Sequence, residues 1–115
     1  MTPQPTSSIP SSPPTIQEAE RASGPSGAVL AGTIIDFHAA VARRQAGLDV
    51  VACGEDVVAN RRLAGAIEGA VGACQRNDPH RRAGPLALPH FQQDAPPPQG
   101  HTFYETANRK ARKRP

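Results

Sequence analysis

The chain has little material for a large hydrophobic core. Tryptophan is absent, aromatic residues make up 3%, and only 20 of the 115 residues are Leu, Ile, Val or Phe. A chain with so few large apolar residues does not pack along its whole length. The composition therefore allows one small domain and excludes a large enzyme core. No apolar run reaches the roughly 18 residues that a membrane-spanning helix needs, so we expect no membrane partner.

Two further absences bear on location. The stretch Met1–Pro5 has no basic segment followed by apolar residues, so a secretory signal is not visible and we expect a cytoplasmic protein. Cysteine occurs only as Cys53 and Cys74. A continuous helix between them would hold the two thiols too far apart for a disulfide, so both are expected to be reduced.

Proline placement divides the chain into three parts. Six of the 13 prolines lie between positions 3 and 25, six lie between 79 and 98, and none lies between Ser26 and Asp78. Because proline blocks helix interiors, helices are expected in the proline-free middle. We predict a disordered leader rich in Pro, Ser and Thr over 1–26, a small domain over 27–106 and a basic tail over 107–115.

The pattern in the middle of the chain predicts an α+β fold. An apolar stripe and the glycine after Ala46 indicate a first helix over Gly27–Ala46. A β-branched run indicates a short strand over Leu48–Cys53. Acidic residues after this strand indicate the first turn of a second helix over Asp56–Val71. Two further strands, Leu86–Gln93 and His101–Thr106, form a predicted C-terminal β-hairpin. The stripe of the first helix is made of Leu30, Ile34, Phe37 and Val41.

Two segments outside these elements carry weaker signals. Thr15 and Glu18 have the spacing of a capping box, which indicates a short helix within the leader. The polar stretch Gly72–Gly84 is expected to be a loop.

The positive charge is concentrated at the C-terminal end. The chain has a formal net charge of +3, and five of its 13 Lys and Arg residues follow Asn108. The rest of the chain carries ten acids against eight cations and is slightly acidic. A basic cluster attracts phosphate-rich partners, so RNA or another nucleic acid is an expected partner; the alternative is a solvated tail that only aids solubility.

Histidines are the candidate catalytic residues. His80, His90 and His101 lie in the last third of the chain, near Tyr104 and the basic tail. One neutral imidazole can take the proton of a ribose 2′-hydroxyl, and a second, protonated one can donate to the leaving oxygen. We therefore predict metal-independent RNA cleavage by His90 and His101, with the hydroxyl of Tyr104 or Thr102 as a hydrogen-bond donor.

The same scheme needs cations for the developing charge on phosphorus. Arg109 and Lys110 are the predicted phosphate-binding residues, since they follow the second histidine most closely. No cofactor and no metal is predicted. The serines lie in or beside the leader, and neither a phosphate-binding loop nor a dinucleotide fingerprint occurs.

Strand parity decides whether the two imidazoles meet. If Leu88 and Phe103 both face the core, His90 and His101 lie on one side of the hairpin; if Phe91 is the core residue, they lie on opposite sides. The sequence leaves both arrangements open. Rings about 5 to 8 Å apart across a groove would accept a phosphate between them, given hydrogen-bond reach.

Two segments of the last third carry a resemblance to a known class. Gly84-Pro-Leu-Ala-Leu-Pro-His-Phe-Gln92 and Gly100-His-Thr-Phe-Tyr104 resemble the C-terminal modules of bacterial polymorphic toxins. The resemblance covers about Gly84–Lys110. It implies a nuclease, commonly an RNase, with His90, His101 and Tyr104 in its site. It also implies delivery into a target cell and a cognate immunity protein as partner.

Two alternatives remain open from the sequence. One is a non-catalytic module that binds a protein or a nucleic acid, with the basic tail as its contact. The other is that the Ala, Gly, Pro and Arg content reflects only the codon bias of a GC-rich genome, in which case cooperative unfolding would be absent.

Overall fold

The structure is a computed structural model that describes residues 12–79 and 82–114. Within this part of the chain, two helices accompany seven strands, which confirms the predicted α+β class and its two helices. In chain order the elements are β1 Thr15–Arg21, β2 Val29–Ile35, α1 Phe37–Gln45, β3 Val50–Cys53, α2 Val57–Val71, β4 Cys74–Asn77, β5 His90–Gln93, β6 Thr102–Tyr104 and β7 Arg112–Lys113.

All the strands join one mixed sheet in the order β4-β5-β6-β3-β1-β2-β7. The β3–β6 and β2–β7 pairs are parallel, and the other neighbours are antiparallel. Strands β3 and β1 lie in the middle of the sheet, so its centre is built from segments far from the C-terminal hairpin in sequence. The hairpin of β5 and β6 joins this centre through β6.

The sheet has a helical face and a face without helices. On the helical face, Ile16 and Val50 pack against Ala40 of α1 and Ile67 of α2. On the other face a separate buried cluster contains no helix residue; its members are Ala19, Val29, Ala31, Val51, Leu88 and Phe103. The chain segment before β5 therefore covers the second face of the sheet, which would otherwise need another layer of helices to bury it.

The first predicted helix is wrong in its first half, because Val29–Ile35 forms strand β2. The helix begins only at Phe37, where the side chain of Asp36 accepts a hydrogen bond from the Ala39 N–H at 2.8 Å. The apolar stripe misled the prediction, since Ile34 is 63% exposed and does not face a core. The predicted stop is confirmed, because Gly47 has a φ of +82° directly after the helix.

Part of the predicted leader belongs to the sheet. The capping-box helix expected near Thr15 is wrong: Thr15–Arg21 forms β1, which pairs with both β2 and β3. Ile16 and Ala19 are buried in the two cores. The folded domain therefore starts at Thr15 or earlier instead of at residue 27, while residues 1–11 of the predicted leader lie outside the described residues.

The second half of the chain follows the prediction more closely. Helix α2 begins at Val57 with Asp56 as its N-cap and ends at Val71, as expected. Strands β5 and β6 form the predicted antiparallel hairpin, although both are shorter than predicted. The expected loop over 72–84 is wrong in part, because it contains strand β4, which forms an edge of the sheet.

The basic tail is attached to the domain. Arg112 and Lys113 form β7, which pairs in parallel with Leu30 and Ala31 of β2. Arg114 extends this strand and forms ion pairs with two acids of β1, Glu18 and Glu20. The tail is therefore a strand of the sheet instead of a free cationic segment.

Candidate functional site

A cavity of about 310 Å³ lies between the β1–β2 turn and the C-terminal hairpin. Leu88 and Phe103, which line it, belong to the cluster on the face without helices. Its lining is mainly apolar, with a polar rim made of two imidazoles and one guanidinium. The lining residues are Arg21, Ala22, Gly24, Gly27, Val29, Pro79, Ala83, Ala87, Leu88, His90, His101 and Phe103.

The hairpin brings His90 and His101 into direct contact. Leu88 and Phe103 pack in one buried cluster, so parity places both histidines on the same side of the hairpin. Their ring centroids are 4.0 Å apart with an interplanar angle of 35°. The ring of Phe103 meets both imidazoles edge-on, at 5.6 Å from His90 and 5.5 Å from His101. The structure therefore selects the arrangement in which the two predicted residues meet.

The separation is shorter than the 5 to 8 Å that a phosphate between the rings requires. At 4.0 Å the rings pack against each other, which leaves no room between them for a phosphate. A phosphate can approach the pair only at the edges of the rings that face the cavity. The two rings therefore meet, which the sequence left open, but they do not meet the distance condition for a phosphate between them.

Arg21 provides the cation at this site. Its Nη2 atom lies 2.5 Å from Nδ1 of His101, and its Nε atom lies 3.4 Å from Oδ2 of Asp49. The other oxygen of Asp49 accepts a hydrogen bond from the backbone N–H of His101 at 2.7 Å. The Arg21 side chain is 53% exposed, so part of it is open to solvent. Asp49 thus holds both the arginine and the backbone of the histidine.

The contact with Arg21 defines the tautomer of His101. A guanidinium has only donors, so Nδ1 of His101 must accept, and in the neutral ring the proton then lies on Nε2. Burial lowers the pKa of His101 from 6.5 to about 3, and the positive charges of His90, Arg21 and Arg44 contribute in the same direction. The ring is therefore neutral near pH 7, and its lone pair faces the arginine.

His90 has a different hydrogen-bond partner. Its Nε2 atom lies 3.0 Å from the side-chain oxygen of Gln92, which can only accept. Nε2 of His90 therefore carries a proton in this arrangement. The two imidazoles thus differ in role, since one is held as an acceptor by Arg21 and the other is held as a donor by Gln92.

A buried ion pair supports the backbone before His101. Arg44 and Glu68 are both fully buried, and their Nε–Oε1 distance is 2.8 Å. Arg44 also donates to the carbonyls of Gln99 and Gly100, at 2.8 and 3.1 Å. The first residue of β6, Thr102, donates to Glu68 at 2.8 Å. These bonds hold the chain on both sides of His101 and so help to define the position of its ring.

Three predicted site residues lie away from the histidine pair. Tyr104 is buried against Ala64 of α2, and its hydroxyl accepts from Arg76 at 3.3 Å. Because strand parity places Tyr104 on the opposite face from His101, the structure does not bring its hydroxyl to the imidazoles. Tyr104 is thus a core residue in this structure.

The predicted phosphate-binding cations are also displaced. Arg109 Nη1 donates to the carbonyl of Ala87 at 2.7 Å. This hydrogen bond attaches the tail to the backbone of a residue that lines the cavity. Lys110 lines a different cavity, beside Cys53 and Glu105, and its Nζ lies 3.3 Å from the Gly54 carbonyl. Neither residue lines the cavity of the histidines, so the pairing of histidine and tail that the sequence suggested is wrong for this structure.

Sequence reasoning missed Arg21, because it falls in the segment predicted as a leader. A signal does exist: the run from Thr15 to Arg21 has no glycine or proline and includes Ile16 at a buried position. That signal is short, and the strand is specified mainly by its two neighbours. Only the sheet pairing shows that Arg21 reaches the hairpin.

Other ligand types find little support among the described residues. Cys53 and Cys74 are free, and burial raises the pKa of the Cys53 thiol to about 12. Within residues 12–79 and 82–114, no group of three His, Cys, Asp or Glu side chains could hold a metal ion. Neither of the described helices combines the length and the hydrophobicity that a membrane span requires. His80 lies outside the described residues.

The chain was compared with models of protein families, with curated protein sequences and with solved structures, and none of the three comparisons gives a match.

Proposed function

We propose that the protein is a metal-independent ribonuclease whose site consists of His90, His101 and Arg21. The observation that carries the proposal is the contact between two imidazoles, 4.0 Å apart, at a cavity whose rim also contains a guanidinium. Two imidazoles, of which one accepts and the other donates in its observed contact, and one cation are sufficient for proton transfer and for stabilisation of a phosphorane-like transition state.

Arg21 links substrate binding to the activation of His101. In the free protein its guanidinium occupies the lone pair of His101 Nδ1. A phosphate is a stronger partner for arginine than a neutral imidazole, because it carries the opposite charge and can accept two parallel hydrogen bonds from the guanidinium. A phosphate at the exposed part of Arg21 therefore draws the guanidinium away from Nδ1 and frees the lone pair. The negative charge of the phosphate also favours protonation of His101 once the reaction begins.

The proposed reaction transfers two protons and exchanges one P–O bond for another. The ribose 2′-oxygen attacks the adjacent phosphorus while its proton passes to Nδ1 of His101. The bond from phosphorus to the 5′-oxygen breaks, and His90, acting in its imidazolium form, donates a proton to that oxygen and becomes neutral. The products are a 2′,3′-cyclic phosphate and a free 5′-hydroxyl. Because the nucleophile is the 2′-hydroxyl, the substrate is RNA and not DNA.

The test is cleavage of a labelled single-stranded RNA by the purified protein. We expect wild type to cleave RNA with EDTA present, to leave the 2′-deoxy analogue intact and to produce a cyclic phosphate end. His90→Ala and His101→Ala should each lower the rate by about 10²-fold or more, as loss of a general acid or base does. Arg61→Ala, at an exposed position of α2, is the matched control and should cleave like wild type.

Two results would contradict the proposal. Cleavage that survives in the His90→Ala, His101→Ala double variant would show that another group or a contaminant is responsible. Absence of cleavage by wild type over a set of RNAs of varied sequence would show that the site is not catalytic. Circular dichroism on every variant separates loss of fold from loss of chemistry.

A second candidate function is RNA binding without cleavage. It is favoured by the contact of Arg21 with Nδ1 of His101, because this contact occupies the lone pair that a general base needs. A ring that accepts from Arg21 and a ring that donates to Gln92 are both occupied in the free protein. In this case wild type should bind the 2′-deoxy and ribo forms of an oligonucleotide with similar affinity and cleave neither. Arg21→Ala should then weaken binding and lower the dependence of affinity on salt.

Variants of the same site can test the toxin function that the resemblance implies. Expression of wild type inside a bacterium should arrest growth and fragment cellular RNA, while the double histidine variant should be tolerated. A cognate immunity protein would be a partner that covers the cavity beside His90 and Arg21. Tolerance of wild-type expression at a level where folded protein is demonstrated would contradict the toxin function.

A further inference from the structure

We infer that the apolar part of the cavity beside His90 and His101 binds one unpaired nucleobase of the RNA. The inference rests on the proposed function for the identity of the neighbouring phosphate. It adds a base subsite that the reaction itself does not require. The substrate class that follows is single-stranded RNA with an extruded base next to the cleaved bond.

The cavity has two chemically different parts. One part is apolar, with Val29, Leu88 and Phe103 as its floor; these three residues are also members of the buried cluster on the face without helices. The other part is the polar rim with the two imidazoles and Arg21. A ligand that fills both parts must join a flat or compact apolar body to an anionic group.

Simpler ligands satisfy only half of this site. A phosphate alone would pair with Arg21 and leave the apolar part of the cavity unfilled. A purely apolar ligand would cover the exposed part of the Arg21 side chain without offering it a partner, which is costly for a charged group. A nucleotide unit has both components on one short linker, so it matches the two parts at once.

The size of the cavity limits the apolar body to one ring system. Its volume of about 310 Å³ lies at the lower end of the range for small-molecule sites. The side near the β1–β2 turn is open, since a Cβ atom added at Gly24 would meet nothing within 4 Å. The chain of the RNA can therefore leave the cavity on that side, while one base enters.

Base pairing is incompatible with this arrangement. A base in a duplex has its faces covered by stacking and its edge covered by the partner strand, so it must leave the helix to enter the cavity. Proteins that recognise single-stranded RNA use this type of contact with splayed bases. The cavity therefore predicts a preference for loops and unpaired ends.

The test uses an RNA tetramer with 2′-O-methyl groups, which cannot be cleaved, and the same tetramer with one abasic position. Fluorescence anisotropy should show at least about fivefold tighter binding of the complete tetramer by wild type, the effect of one stacked base. Ala22→Phe fills the cavity from the end of β1 and should remove that difference. Ala66→Phe, at an exposed position of α2, is the matched control and should retain it.

The outcomes separate this inference from the proposed function. Equal affinity of wild type for the complete and abasic tetramers overturns the base subsite, even if wild type cleaves RNA. A base-dependent affinity that Ala22→Phe removes supports the subsite, even if wild type cleaves nothing. If Ala22→Phe fails to fold, Ala83→Phe, which enters the cavity from an exposed position on its other wall, serves as the second variant. Retention of the base preference in the folded variants overturns the inference.

Discussion

The buried pair of Arg44 and Glu68 gives the sharpest prediction about stability. Both side chains have no exposed surface, and two parallel hydrogen bonds of 2.8 and 3.1 Å join them. Glu68 also accepts from Thr102 at 2.8 Å and from Gln93 at 2.6 Å. The pair therefore links both helices to β5 and β6. We consider the substitution Arg44→Met, which keeps the side-chain volume and removes the charge.

Arg44→Met should lower the free energy of unfolding by about 3–5 kcal/mol, because the carboxylate of Glu68 stays buried without a cation. That is a large part of the roughly 5–15 kcal/mol expected for a small domain. The double variant Arg44→Met, Glu68→Leu removes both charges and should lose less than the sum of the single variants. We expect a coupling of about 2–3 kcal/mol between the two positions. The carbonyls of Gln99 and Gly100 lose their Arg44 donor in Arg44→Met and in the double variant. The free energy of unfolding of the double variant should therefore stay below that of wild type.

The measurement is unfolding in urea followed by circular dichroism, on wild type, both single variants and the double variant. Arg114→Met is the control, since its ion pair with Glu20 lies at the surface, and its effect should be much smaller than that of Arg44→Met. Additive losses in the cycle would refute the reasoning, because they would mean that the two charges do not depend on each other. A small loss for Arg44→Met alone would refute it as well.

Three further predictions concern the site, the turns and the tail. The pKa of His101 lies near 3 in the folded state and near 6.5 when unfolded, so the unfolded state binds more protons between these values. The free energy of unfolding should therefore fall as pH is lowered from 6.5 toward 3. The fall should be smaller than the full linkage slope of about 1.4 kcal/mol per pH unit, because the ring is partly exposed. In His101→Asn, the urea midpoint should depend less on pH between these values. Gly84→Ala should destabilise, since φ is +112° and the new Cβ would lie 2.3 Å from the backbone of Ser26, whereas Gly69→Ala, with open space around it, should stabilise by up to about 1 kcal/mol in thermal unfolding. Removal of residues 109–115 should lower the unfolding midpoint, because β7 pairs with β2; an unchanged midpoint would show that the tail is free.

The sequence was most informative where a segment is organised by local interactions. Helix α2 has an acid at its N-cap, an apolar stripe that includes Ala64 and Ile67, and no proline, and its predicted bounds are correct to one residue. The stop of α1 was predicted from Gly47 for the same reason, since a positive φ is a property of one residue. Both features depend on residues within one or two helical turns.

The strands at the centre of the sheet could not be predicted in this way. Strand β1 contains Gln17, Glu18 and Glu20, which read as a polar leader; the strand is stabilised by pairing with β2 and β3 on its two sides. Strand β7 consists of Arg112 and Lys113, whose composition indicates a solvated tail. In both cases the energy comes from partners that are distant in sequence, and composition does not reveal such partners.

The candidate site follows the same division. His90 and His101 were predicted because histidines cluster in the last third of the chain, and they meet because both belong to one hairpin whose strands are neighbours in sequence. The cations predicted beside them, Arg109 and Lys110, are near His101 in sequence, whereas the guanidinium that contacts His101 belongs to Arg21 and is near it only in space. Strand β1 occupies the centre of the sheet, two strands away from β6, and its end projects toward the hairpin. Proximity in sequence therefore indicates contacts between residues of one supersecondary unit, and it does not reveal a group that a distant strand supplies.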